Sequence, residues 1–146
     1  MIVIYKNAKV NGEIIDIKTA DGKITDVGRF SEDGIDMKGY KVYPGLFDIH
    51  SHGCVSCDTM DGNHLLEMSD FLAKNGVTSW LPTTMTVAMD DIKKVVNIDI
   101  PNTKGANIEG FHAEGPYVCI KYKGAQNEKY IKNPDLKEFG ELKNIK

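Results

Sequence analysis

A chain of 146 residues, 41% hydrophobic and 27% charged, carries enough apolar material for a packed core and too much for a disordered segment. Its 18 basic and 21 acidic residues leave a formal net charge of −3, which gives no cationic footprint and excludes nucleic acid or an anionic membrane surface as a default partner. The opening "MIVIYKNAKVNGEII" lacks a basic start followed by an apolar run, and no later stretch approaches the roughly 18 apolar residues of a membrane span. A cytoplasmic protein is the expectation, with a small polar substrate or a protein partner left open.

Residues 1–43 are short β-like runs, "MIVIYKNAKV", "EIIDIKTADG", "KITDVGRF" and "YKVYP", punctuated by Asn11-Gly12, Asp21-Gly22 and Asp33-Gly34. Asn-Gly and Asp-Gly tolerate the positive φ of tight hairpin turns, so a small antiparallel sheet is predicted here, as a β-sandwich segment distinct from residues 44–146. After Pro44 the pattern changes to alternating strand and helix. "GLFDIHS" reads as a strand. "DGNHLLEMSDFLAKNG" reads as a helix with Asp61 as N-cap, Leu65, Met68 and Leu72 on one face, and Gly76 as the stop.

"VTSWLPTT" is a second strand, with Trp80 and Leu81 as core, and "AMDDIKKVVNI" a second helix. "GANIEGFHAEGP" is a third strand, and a last helix is predicted from Asn133-Pro134. Three strand-helix repeats are the signature of parallel βαβ units with right-handed crossovers, hence an α/β fold. Three units do not close a (β/α)₈ barrel, which needs about 250 residues. With a final charged helix that lacks a cap, the chain is expected to be the N-terminal portion of a longer protein.

Cys54, Cys57 and Cys119 are an odd number, which argues against a disulfide framework. "HSHGCVSC" has the composition of a zinc box, yet no second ligand pair follows at finger-like spacing, and the two cysteines are read as small side chains in a loop. His50 and His52 stand two apart at the end of the first predicted strand, so their side chains project to one face. His112 and Glu114 repeat that arrangement at the end of the third. Either pair alone reads equally as solvated loop residues. Together they place imidazole and carboxylate at the carboxyl ends of parallel strands, where such sheets build their sites.

"YPGLFDIHSHG", "GVTSWLPTTMT", "GFHAEGPY" and "KGAQN" together resemble the amidohydrolase superfamily, and within it the N-acetylglucosamine-6-phosphate deacetylases. The resemblance implies a (β/α)₈ barrel, here about three βα units, preceded by a small antiparallel β segment. It implies a divalent metal, one or two ions, zinc first and iron or another divalent ion as alternatives. Glu114 then corresponds to the principal metal ligand, and His50 and His52 to the pair that holds a second ion. Ala125 and Gln126 fall where the family contacts the sugar phosphate. Ser56 stands where many relatives carry glycine, a change expected to alter loop conformation.

The implied reaction is hydrolysis of the acetamide of N-acetylglucosamine 6-phosphate to glucosamine 6-phosphate and acetate by a metal-activated water. The general base, an aspartate late in the barrel, is expected beyond Lys146, so the 146-residue chain is expected to be inactive alone and the full-length form a homo-oligomer. Two other readings stand beside this one. Another amidohydrolase, of dihydroorotase or deacylase type, accounts for His50 and His52 but gives no reason for "HAEGPY" and "KGAQN". A non-catalytic metal-binding or interaction fragment accounts for the histidines without a reaction. Thr83, Thr84 and Thr86 lie near the expected active face, Lys121 and Lys123 are read as solvated, and His64 is assigned no role.

Overall fold

Two-residue turns set the register of the first forty residues. Asn11 and Gly12 (φ 50° and 93°), and Asp21 and Gly22 (φ 50° and 78°), occupy the left-handed region that type I′ turns require. They join β1 (Ile2–Val10), β2 (Glu13–Ala20) and β3 (Lys23–Gly28) into an antiparallel meander, with Val10 opposite Glu13 and Ala20 opposite Lys23. The computed structural model describes all of Met1–Lys146, which divide into two compact units, Met1–Pro44 and Gly45–Lys146.

The first unit departs from the expected antiparallel sheet at Asp33-Gly34, which closes no hairpin. The chain crosses instead to the far side of β1, where β4 (Ile35–Asp36) pairs parallel to it and gives the order β3-β2-β1-β4. Gly34 passes so close to β1 that a Cβ would lie 2.4 Å from the Ile4 carbonyl oxygen. Asp16 is buried where β1 bulges. Its carboxylate accepts the backbone N–H groups of Asn7 (2.9 Å) and Phe30 (3.1 Å), with Arg29 at 3.4 Å and Lys6 at 3.7 Å.

The second unit is a parallel sheet built around one strand. β5 (Leu46–Ser51) is followed by a tight hairpin, β6 (Gly53–Cys54) and β7 (Cys57–Asp58). Helix α1 (Leu65–Lys74) leads to the central strand β8 (Val77–Thr84), and α2 (Met89–Val96) leads to β9 (Asn107–Ile108) and β10 (His112–Ala113). β8 lies between β5 on one side and β9 with β10 on the other, all parallel. It is accordingly buried from Trp80 to Thr84, as a two-sided parallel strand must be. Leu65, Met68 and Leu72 of α1 and Ile92, Val95 and Val96 of α2 pack with Trp80 and Phe111 into one core. The indole N–H of Trp80 donates to the buried Ser69 hydroxyl at 3.1 Å.

Three local expectations are corrected. Asp61 does not cap α1: Asp58 caps a short 3₁₀ turn, Thr59–Asp61, accepting the Met60 N–H at 2.7 Å. Gly62 (φ 71°) ends that turn, and α1 starts anew after His64. The third strand is broken at Glu109–Phe111, where Gly110 lets residues 144–146 approach: a Cβ there would lie 2.7 Å from the Asn144 carbonyl oxygen. The last helix, α3, is only Leu136–Phe139; beyond it Phe111 N–H donates to the Asn144 carbonyl (2.8 Å), and Ile145 forms a parallel bridge with Phe111. The chain end is thus held in strand-like pairing rather than in a helix. No helix is long and apolar enough to cross a membrane.

Candidate metal centre

β8 brings the separated donors together by pairing with both of their strands. Ser51 on β5 lies opposite Pro82, and His112 on β10 lies opposite Thr83, so the carboxyl ends of β5 and β10 open at one level of the sheet. There His50 Nε2 lies 2.8 Å and His52 Nε2 2.9 Å from Glu114 Oε2, and the two imidazole nitrogens are 3.3 Å apart. All three residues singled out in the sequence as metal ligands meet at this point.

The triangle fits a divalent ion. Tetrahedral zinc with ligand bonds of about 2.0–2.2 Å sets its ligand atoms roughly 3.3–3.4 Å apart. The histidine pair already stands at that spacing, and the two contacts to Glu114 need to open by about half an ångström. His52 is fixed in the tautomer that a metal requires. Its Nδ1 lies 3.1 Å from the Thr83 carbonyl, which can only accept, so Nδ1 carries a proton and Nε2 is the ring atom turned to the cluster. Thr83 also accepts the Ser51 N–H through its hydroxyl at 3.0 Å, which anchors the strand end between the two histidines.

Glu114 is held from behind. Gln126 is buried; its Nε2 donates to Glu114 Oε1 at 2.6 Å while its Oε1 accepts the Thr86 N–H at 2.8 Å, and Thr86 Oγ1 donates to the Glu114 carbonyl at 3.1 Å. Burial opposes ionisation of Glu114, but the hydrogen bonds from Gln126 and His50 and the neighbouring His52 outweigh it, so the carboxyl titrates below its ordinary value. An ionised carboxylate and a lone-pair-bearing imidazole are the ligand forms zinc takes.

His112 does not join the triangle. Its ring stands edge-on to His50 with centroids 4.7 Å apart, and its Nδ1 is buried without a hydrogen-bond partner, as is Thr84 Oγ1. Ala125 lies beside Gln126 in the same turn, and Lys123 Nζ donates to the Gln126 carbonyl at 3.2 Å rather than standing free. Thr83 and Thr86 were legible only as residues near the active face. Their roles as backbone-level supports of His52 and Glu114 depend on sheet register, which no local pattern encodes.

No protein-family profile matches the chain. Among curated proteins it is similar to the N-acetylglucosamine-6-phosphate deacetylase of Lysinibacillus sphaericus, 34% identical over 142 residues that cover 89% of this chain and 36% of the relative. The enzyme of that name from Vibrio furnissii is 34% identical over 135 residues, 88% of this chain and 32% of the relative. The solved N-acetylglucosamine-6-phosphate deacetylase of Thermotoga maritima superposes with a TM-score of 0.76 at 29% identity, over 97% of this chain and 39% of that one. The chain thus spans about a third of the length of the curated relatives it matches. By sequence and by fold it belongs with the N-acetylglucosamine-6-phosphate deacetylases, most of its own length matching about a third of theirs.

Proposed function

We propose that Gly45–Lys146 contributes the first βα units of a (β/α)₈ deacetylase barrel, and with them part of the metal centre that hydrolyses the acetamide of N-acetylglucosamine 6-phosphate. The observation that carries this reading is the meeting of His50 Nε2, His52 Nε2 and Glu114 Oε2 within 3.3 Å of one another, from strand ends 64 residues apart. A bound divalent ion, zinc by preference, supplies Lewis-acid polarisation of the amide carbonyl and lowers the pKa of water. The chain's own residues hold and orient. Thr83 fixes the His52 tautomer, Gln126 and Thr86 hold Glu114, and Ala125 and Gln126 are the positions assigned to contact with the sugar phosphate.

The general base and the remaining metal ligands come from outside these residues. The exposed apolar side chains of β5, Leu46, Phe47 and Ile49, fit that division, because β5 pairs with β8 on one edge only and a closed barrel covers the other. The isolated chain is therefore expected to bind zinc and to release no acetate. A chimera that substitutes this chain for the matching segment of the Lysinibacillus sphaericus enzyme is expected to release acetate from N-acetylglucosamine 6-phosphate, and to lose that activity on Glu114→Ala. A folded, zinc-loaded chimera that is inactive on this substrate overturns the reading. One that hydrolyses dihydroorotate or an N-acyl amino acid instead assigns the chain to another amidohydrolase.

A further inference from the structure

Outside that centre, a second set of metal-type donors converges behind the hairpin β6-β7. Cys57 Sγ lies 3.7 Å from Glu67 Oε2, His64 Nδ1 lies 3.5 Å from the same oxygen, and no two of the three donor atoms are more than 4.8 Å apart. Tetrahedral zinc holds a thiolate sulfur and a carboxylate oxygen roughly 3.6 Å apart, and an imidazole nitrogen and a carboxylate oxygen roughly 3.4 Å apart. The observed separations match those edges. The His64–Glu67 separation exceeds an ordinary N–H···O hydrogen bond of about 2.9 Å, and the Cys57–Glu67 separation is that of an S–H···O hydrogen bond whose proton an ion would replace.

The local chemistry points the same way. His64 occupies the N-cap of α1, where Ser, Thr, Asp or Asn would bond the first N–H groups, yet its side chain makes no capping bond. Glu67, three residues on, turns its carboxylate to Cys57 and His64 instead of closing a capping box. Cys54, across the ladder from Cys57, is turned toward the Met68 carbonyl at 4.0 Å and is not one of the three converging donors.

We propose that Cys57, His64 and Glu67 form a second metal site, for zinc or another borderline divalent cation, with water in the fourth position. Binding forms a metal–sulfur bond and breaks the Cys57 S–H bond, the proton passing to solvent. The site joins the hairpin that follows His52 to the first turn of α1, and so pins the segment that leaves the first centre. That segment is already tied to the His52 strand, since Thr59 N–H donates to the His52 carbonyl at 2.7 Å.

Cobalt(II) titration of the full chain tests this, because a thiolate ligand gives a near-ultraviolet charge-transfer band that histidine and carboxylate ligands do not. The expected result is a band whose final intensity corresponds to one thiolate-bound cobalt per chain, the first centre taking up cobalt without contributing to it. It should be lost in Cys57→Ser and retained in Cys54→Ser, Cys119→Ser and His50→Ala. Glu67 is exposed on its helix, so Glu67→Gln leaves the fold intact and is expected to weaken cobalt at this site at least about tenfold. It decides the matter should Cys57→Ser fail to fold. No charge-transfer band at saturating cobalt, a band that survives Cys57→Ser, or an affinity unchanged by Glu67→Gln would each overturn the proposal and leave a thiol–carboxylate hydrogen bond in its place.

Discussion

The two units of the chain are held to their register by opposite means. In Met1–Pro44 each antiparallel partner is delivered by a two-residue turn, so Asn11-Gly12 and Asp21-Gly22 decide which residues face each other. In Gly45–Lys146 the partners are parallel, and a helix separates β5 from β8 and β8 from β9. What aligns them is the shared strand β8 and the core beneath it. The metal triangle belongs to the second kind: its donors are set by register on either side of β8, and its accuracy is only as good as that strand's packing.

The largest effect should therefore come from the residue that seats β8. Trp80 is fully buried, and Trp80→Ala is expected to cost about 3–5 kcal/mol. Amide hydrogen exchange should show lost protection across residues 45–146, with the turns and ladder of residues 1–44 unchanged. Equal loss in both units would break the comparison. A smaller effect follows from Gln126, which bridges Thr86 and Glu114. Gln126→Leu removes the donor to Glu114 and leaves the buried Thr86 N–H without its acceptor. Zinc affinity measured by competition with a chelator is expected to fall about 10–100-fold, with the strands still in place.

On the local side, Asn11 sits at φ 50°, a region Asn tolerates and Ala resists. Asn11→Ala is expected to lower the stability of Met1–Pro44 by about 1 kcal/mol, seen as weaker protection confined to β1 and β2. A change reaching β8 would show that the first unit is not governed locally.

The same division explains what could be read from the sequence. Hairpin turns and the Leu65, Met68, Leu72 face were legible because each is a short-range pattern. Asp33-Gly34 carried the same turn signal and misled: the close approach of Gly34 to Ile4, not a hairpin, is what uses that glycine. His50, His52 and Glu114 were legible as types at strand ends, but their meeting depends on β8. Thr83 and Thr86 act through backbone and hydroxyl groups whose partners lie 31 and 28 residues away. The end of the chain was misread for a similar reason. Asn144 Nδ2 donates to the carbonyls of Val96 and Ile98, both at 2.8 Å and more than 45 residues distant, and this anchor turns Ile145 into a strand partner where the charge pattern suggested helix. Ser56 shows a departure the structure absorbs: it adopts φ 63° without being glycine, beside Val55 at 49°, and so completes the hairpin turn that carries Cys57.

The last effect concerns Asp16, whose pH dependence appears only in acid. The backbone N–H groups of Asn7 and Phe30, which outweigh the opposing effect of burial, together with Lys6 and Arg29, lower its pKa from the ordinary 3.8. A carboxyl whose folded value lies below its unfolded one binds more protons when unfolded, so its contribution is complete above about pH 4 and is lost as pH falls through the folded value. Residues 1–44 should thus lose amide protection in that acid window. Asp16→Asn should flatten the dependence there, while lowering stability at pH 7, where the ionised carboxylate accepts both N–H groups and an amide oxygen can accept only one of them in place. An acid transition that persists unchanged in Asp16→Asn would place the sensitive group elsewhere in the first unit, as at Glu32, whose carboxylate accepts from Lys18 at 2.9 Å.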